Sequence, residues 1–206
     1  MVKMKKIIKV KKGQKIYSLA KKIIPGGNML LSKKPELFLP KGWPAYFKKT
    51  KGCEVWDLDG NKYYDLSLMG VGTNILGYSN KRVDKKVSNV IKNGNLSTLN
   101  CAEEVALAEK LIELHPWAQM VKLARTGGEA NAVAVRIARA ASGKDNVAFC
   151  GYHGWHDWYL ATNIKKNKNL NEHLLKNLPI EGVPKNLANS VFPFKYNDFK
   201  ELERIV

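Results

Sequence analysis

Two short motifs carry the residue types that could do chemistry. The first is Thr126-Gly127-Gly128-Glu129, set between an apolar run at 120–124 and a stretch of helical periodicity. Two glycines let the backbone turn tightly and approach a ligand closely. Thr126 and Glu129 stand at capping-box spacing, so a helix starts here. The amides of Gly127, Gly128 and Glu129 are then free at the positive end of a helix dipole, which favours an anion such as phosphate. The second motif is Tyr152-His153-Gly154, just after the apolar run 147–149. A phosphate cradle beside an aromatic ring and an imidazole suits a flat, phosphorylated cofactor.

Three other readings compete for these residues. The glycines can serve a tight turn with no ligand, because short glycine motifs are weak signals. Cys150, His153, His156 and Asp157 are dense enough to consider as a zinc cluster. No second cluster matches them, however, and Trp155 and Trp158 read as packing, so no metal is assigned. A dinucleotide site would need G-x-G-x-x-G spacing and an acidic residue ending the second strand, and both are missing.

The elements that must hold the motifs follow from periodicity. Residues 120–124 read as a buried strand. Ala130, Val133, Ala134, Ile137, Ala138 and Ala141 recur at helical spacing and form a smooth face able to lie on a sheet. Gly143 stops that helix, and 147–149 is the next strand. The unit is βαβ, which calls for parallel strands and a right-handed crossover. Ligands bind at the carboxyl ends of such strands, where Tyr152 and His153 stand.

The segments Arg125-Thr-Gly-Gly-Glu-Ala130, Ala132-Val-Ala-Val-Arg-Ile-Ala-Arg139 and Gly151-Tyr-His-Gly-Trp-His-Asp-Trp158 resemble class III pyridoxal-phosphate aminotransferases. The subgroup is the one similar to glutamate-1-semialdehyde aminomutase, and the resemblance runs from residue 24 to the end. It implies an α/β fold, the N-terminal part of a fold-type I pyridoxal-phosphate-dependent transferase, truncated. Residues 1–24 would be a basic N-terminal segment and helix. Residues 25–75 would be a small-domain segment with a β-hairpin, and 76–206 the incomplete first half of the large cofactor domain. The implied cofactor is pyridoxal 5'-phosphate, with its phosphate on Thr126, Gly127 and Gly128, Tyr152 stacked on its ring and His153 alongside. The commoner family pattern at the turn is Ser-Gly-Thr, so Gly128 loses a hydroxyl and leaves the backbone amide to serve alone. The Lys that forms the Schiff base and the Asp that pairs with the pyridine nitrogen are expected downstream of Val206, so no catalytic residue is assigned within the chain. The resemblance further implies small-molecule amino donors and acceptors, a homodimer and a cytoplasmic location. Half of such a fold would expose an interface and a sheet edge, with poor solubility as the result.

Composition is compatible with this. The chain has 206 residues, 45% hydrophobic and 26% charged, in the range of a globular protein. Cys53, Cys101 and Cys150 are odd in number and lack metal spacing, which favours free thiols in a reducing compartment. No apolar run reaches the length of a membrane span. The formal charge of +17 comes mostly from scattered lysines, without an aromatic-basic ladder for stacking bases. Specific nucleic-acid binding is therefore not expected.

Taken in order, residues 1–15 are a Lys-rich start without signal-peptide character. Ile16, Ala20 and Ile23 share a helical face that ends at Pro25-Gly26-Gly27. Cys53 to Asp57 and Lys62 to Leu66 flank an Asp59-Gly60 turn, a strong hairpin signal. Asp57, Asp59 and Asn61 mimic part of a calcium loop whose closing Glu is missing. Val83, Val87, Val90 and Ile91 mark a helix stopped near Gly94. Asn100 caps another, whose buried face is Val105, Ala108, Leu111 and Ile112. Residues 163–176 are polar, 190–194 form a short strand, and a last helix begins at Phe199.

An alternative of another class is a non-catalytic basic binding protein that kept a truncated fold. The two readings separate in one measurement. A binding protein of that kind shows affinity for nucleic acid that falls steeply with salt. The aminotransferase reading predicts none, or affinity that salt leaves unchanged.

Overall fold

The computed structural model describes residues 11–66, 68–165, 170 and 178–206. The chain divides into two compact units, Met1–Leu99 and Asn100–Val206. The sequence reading put this boundary between 75 and 76 and set 1–24 apart. Both differences have a physical cause. Tyr78 and Gly52 bond to each other through both backbone groups, and the Tyr78 hydroxyl donates to Asp65 at 2.7 Å. These bonds tie the loop that leads into the next helix to the sheet. The first helix is tied in likewise, as follows.

Helix α1 spans Lys12–Ile23. The expected face was Ile16, Ala20 and Ile23, but the residues buried are Gly13, Tyr17 and Ala20. The face is rotated because Gly13 must admit the Pro44 carbonyl, which a Cβ there would strike. Tyr17 adds a hydroxyl bond to Glu36 at 2.7 Å. The N-terminus of α1 is capped from afar: Asp59 Oδ2 accepts from the Lys11 and Lys12 amides at 2.9 and 3.0 Å.

Strands β1 (Phe47–Lys51), β2 (Glu54–Asp57) and β3 (Lys62–Tyr64) form an antiparallel sheet in that order. The hairpin β2–β3 forms as its sequence directs, with Gly60 at φ 85° in the turn. β1 was not read from the sequence; Phe-Lys-Lys-Thr-Lys offers little apolar alternation, and most of it is exposed. Asp57 is the buried carboxylate of this unit, 1% exposed. It accepts from the Asp59 amide (2.9 Å), the Asn61 amide (2.8 Å), the Asn61 side chain (2.8 Å) and the Tyr63 hydroxyl (2.9 Å). The calcium-like spacing is thus a hydrogen-bonded turn. Burial pushes the Asp57 carboxyl up, but these donors outweigh burial and hold it below its ordinary value. Tyr63 moves the other way, to about 12, through burial and its bond to Asp57.

Helix α2 covers Lys81–Asn93, capped by Asn80, whose side chain accepts from the Arg82 and Val83 amides. Helix α3 covers Ala102–Leu114. Its cap is Cys101, with no side-chain bond, rather than Asn100, because Cys101 is the extended residue whose carbonyl accepts from Glu104. Helix α4 covers Gly127–Ser142 and ends on Gly143 in the left-handed conformation (φ 65°). Strand β4 (Val147–Phe149) pairs in parallel with β5 (Val191–Pro193), the short strand anticipated there. Between them lie α5 (Asp157–Leu160) and a turn in which Val183 is buried; α6 (Phe199–Glu203) follows β5.

The parallel pair is therefore not the one expected. Residues 120–124 form no strand; none of the described residues pairs with them, and Met120 is 89% exposed. A strand exists only where a neighbour completes its ladder. For the same reason the apolar faces of α2, α3 and α4 form but bury no residue. The core of the second unit is instead Phe149, Tyr159, Leu160, Ala161, Leu170, Val183 and Val191. Residues 1–10 of the basic start, and much of the polar stretch 163–176, lie outside the described residues.

One prediction concerns Asp57. A depressed carboxyl contributes stability that is present above its unfolded value near 3.8 and lost as pH falls through the lower folded value. Asp57→Asn leaves buried donors without an acceptor and should destabilise the first unit by about 2 kcal/mol. Urea unfolding followed by tryptophan fluorescence should show that loss at neutral pH and a shallower loss of stability in acid than wild type. Equal acid sensitivity of the two proteins would contradict the assignment.

Candidate functional site

Helix α4 begins in the way its sequence requires. Thr126 is extended (φ −134°, ψ 157°), and its hydroxyl accepts from the Glu129 amide at 3.2 Å. Glu129 Oε2 accepts from the Arg125 and Thr126 amides at 2.9 and 3.2 Å. These bonds close a capping box. They also engage the Glu129 amide, which the sequence reading had counted among the free donors. Among the described residues, nothing accepts from the Gly127 and Gly128 amides. The Thr126 hydroxyl acts as acceptor within the box, so its own hydrogen is left to donate outward.

The loop after β4 meets this turn. Gly154 has φ 100°, a conformation that favours glycine, and a Cβ on it would lie 3.7 Å from the Gly128 Cα. A Cβ on Gly128 would lie 2.6 Å from His156 Nε2 and 2.7 Å from its Cδ2. The two motifs singled out in the sequence therefore abut, with Gly128 at their contact. At Gly127 a Cβ would meet nothing within 4 Å, so the space beside this residue is open.

His153 faces into the fold. Its Nε2–H donates to the Cys150 carbonyl at 2.8 Å, and its ring stands edge-on to Phe149, 5.7 Å between centroids. Tyr152 is 37% exposed, and its contact with Tyr159 is edge-to-face at 5.9 Å and 89°. Such a contact fixes the ring without covering both its faces. Tyr159 is fully buried; burial, and then the neighbouring Tyr152, push its hydroxyl up to about 12, so it serves as a neutral packing element. His156 lies over Gly128 with its ring stacked on Trp155, 4.7 Å and 28° apart. The sequence reading considered His156 only for zinc. The signal that could have found it was Gly128 itself, a residue without a side chain where a side chain would otherwise fill the space.

Among the described residues, no group of three or more His, Cys, Asp or Glu is placed to hold a metal. No helix among them is long and apolar enough to cross a membrane. What the site offers is an amide pair at a helix N-terminus, an exposed tyrosine ring and two imidazoles. A flat ring bearing a phosphate fits these groups: the ring matches Tyr152, and the phosphate matches the amides at the start of α4.

A cradle at the N-terminus of α4, abutting a loop that leaves a parallel strand, is the beginning of the cofactor domain of a fold-type I pyridoxal-phosphate-dependent transferase. Solved structures bear this out. An omega-transaminase from Sphaerobacter thermophilus superposes with a TM-score of 0.77 at 25% identity, over 94% of this chain and 44% of its own. A transaminase with PLP bound gives 0.79 at 24% identity, over 96% and 45%. The family model for class III aminotransferases matches residues 40–202, and the chain belongs to that family. It is 34% identical over 200 residues to a 3-aminobutyryl-CoA aminotransferase of Cloacimonas acidaminovorans, covering 97% of this chain and 44% of the relative. It is 35% identical over 190 residues to a glutamate-1-semialdehyde 2,1-aminomutase of Methanothrix thermoacetophila, covering 91% and 42%. The chain thus spans less than half the length of these relatives. Pyridoxal phosphate is the cofactor that the family and its PLP-bound neighbours indicate.

The capping box carries a prediction of its own. Thr126→Ala removes the acceptor for the Glu129 amide and should weaken the second unit by about 1 kcal/mol. Thermal unfolding followed by far-ultraviolet circular dichroism should show an earlier transition than wild type. An unchanged midpoint would mean that the box does not hold the start of α4.

Proposed function

We propose that this protein serves amino-group chemistry: transfer between an amino donor and a carbonyl acceptor, or movement of an amino group within one small molecule. The supporting observation is the contact between the Thr126-Gly127-Gly128 turn and the Tyr-His-Gly loop, in a chain of the class III family. When bound, pyridoxal phosphate supplies an electron sink for the substrate carbon. The Gly127 and Gly128 amides hold its phosphate, with the Thr126 hydroxyl as a further donor. Tyr152 lies against one face of the ring, excludes water there and sets its plane. His153 stands beside the ring at the loop and, through Cys150, keeps that loop in shape. The lysine that anchors the cofactor and the acid that pairs with its ring nitrogen are not assigned to any residue of this sequence. The reading also includes assembly as a homodimer and a cytoplasmic location, both carried over from the family. The excess of lysine is assigned to solvated surface.

Two outcomes test this. Titration with pyridoxal phosphate, followed by reduction and peptide mapping, should give saturable binding that drops at least about 10-fold in Tyr152→Ala, on the scale of a lost aromatic contact. Diffuse labelling of lysines, equal in both proteins, would sink the proposal. The 206-residue polypeptide tested alone should turn over no amino donor. Turnover abolished by replacing one of its own lysines would place the anchor within the sequence and contradict that part.

A further inference from the structure

The space beside Gly128 is taken by the imidazole of His156, for which the described residues supply no hydrogen-bond partner. In a helix each Cα–Cβ bond tilts toward the N-terminus. Gly128 is the second residue of α4, so the volume its Cβ would fill lies at the N-terminal rim, where the free amides point. His156 Nε2 is the atom nearest that volume. Gly128 has no left-handed φ that would require glycine, so the absence of a side chain serves the approach of the imidazole. The ring is held by its stack on Trp155, and the His156 carbonyl is fixed by accepting the Tyr159 and Leu160 amides. Among the described residues, no group bonds to either of its ring nitrogens. His153, three residues earlier, shows the contrast: its Nε2 is already engaged by the Cys150 carbonyl.

We propose that His156 is a cofactor-binding residue, whose imidazole N–H donates to the cofactor phosphate from the space that Gly128 leaves open beside the amides. This rests on the pyridoxal-phosphate reading above and deepens it. Amides of Gly127 and Gly128 bind the phosphate from the helix axis, and His156 binds it from the side. The backbone turn is thus completed by a side chain from a different part of the sequence.

Pyridoxamine 5'-phosphate and pyridoxamine form the probe pair. Neither is an aldehyde, so surface lysines do not react with them, and the ratio of their dissociation constants isolates what the phosphate contributes. Equilibrium dialysis with the full chain should show a clear preference for the phosphorylated form. His156→Ala should reduce that preference on the order of 10-fold, the scale of a hydrogen bond to a charged group, and leave pyridoxamine affinity unchanged. His156→Gln, which keeps a donor, should restore part of it.

Gly128→Ala gives an independent check. Alanine favours the helix, so the protein should fold at least as well. The new Cβ displaces the imidazole and should reduce the phosphate preference as His156→Ala does. Adding Gly128→Ala to His156→Ala should then change nothing further. A wild-type preference that survives His156→Ala intact would overturn the role of His156 and leave the cofactor reading standing. Wild type without preference for the phosphorylated form would overturn both.

Discussion

The site depends on how closely two stretches of backbone approach at Gly128. The turn that starts α4 and the loop that leaves β4 touch there, through Gly154 and His156. The His156 contact does not tolerate a side chain on Gly128 without a shift. Everything that could meet a ligand is placed relative to this contact. The capping box of Thr126 and Glu129 sets the direction of the amides. The bond from His153 to Cys150 sets the path of the loop. The edge contact with Tyr159 sets the ring of Tyr152. Each is a local bond of ordinary strength, and together they hold the turn and the loop against each other.

Much of this was legible in the sequence, because the signals were local. Thr126 and Glu129 at capping-box spacing, Gly143 after the last apolar position and Asp59-Gly60 between alternating residues each specify a bond within a few residues, and each forms. Signals that need a distant partner were misread. The apolar run at 120–124 has strand composition, but composition does not supply the neighbour that a ladder needs. The helical faces of Val83 to Ile91 and Val105 to Ile112 likewise announce burial that the described residues do not provide. The face of α1 was misplaced by one step because the Pro44 carbonyl, far along the chain, selects Gly13. His156 was missed for the same reason: its significance lies in a space defined by a residue elsewhere in the sequence.

The two units show different ways of building order from a small core. The second unit relies on aromatic packing: Phe149 and Tyr159 lie at the centre of edge-on contacts that include His153 and Trp158. The first relies more on polar bonds. Asp57 gathers four donors in a space from which water is nearly excluded, and Asp65 gathers the Leu68 and Met69 amides and the Tyr78 hydroxyl. Buried polar networks of this kind hold a loop in one conformation when all their members are satisfied.

Asp59 adds an order of events. Its carboxylate caps a helix that precedes it by 47 and 48 positions. On a growing chain the first turn of α1 emerges with its amides uncapped, and they stay so until the hairpin turn has been synthesised. Chain growth proceeds at roughly 5–20 residues per second. The helix therefore waits for seconds before its partner exists, and it acquires its final N-terminus only as β2 and β3 pair. The capping bond means that α1 is made before β2 and β3 but is completed only together with them.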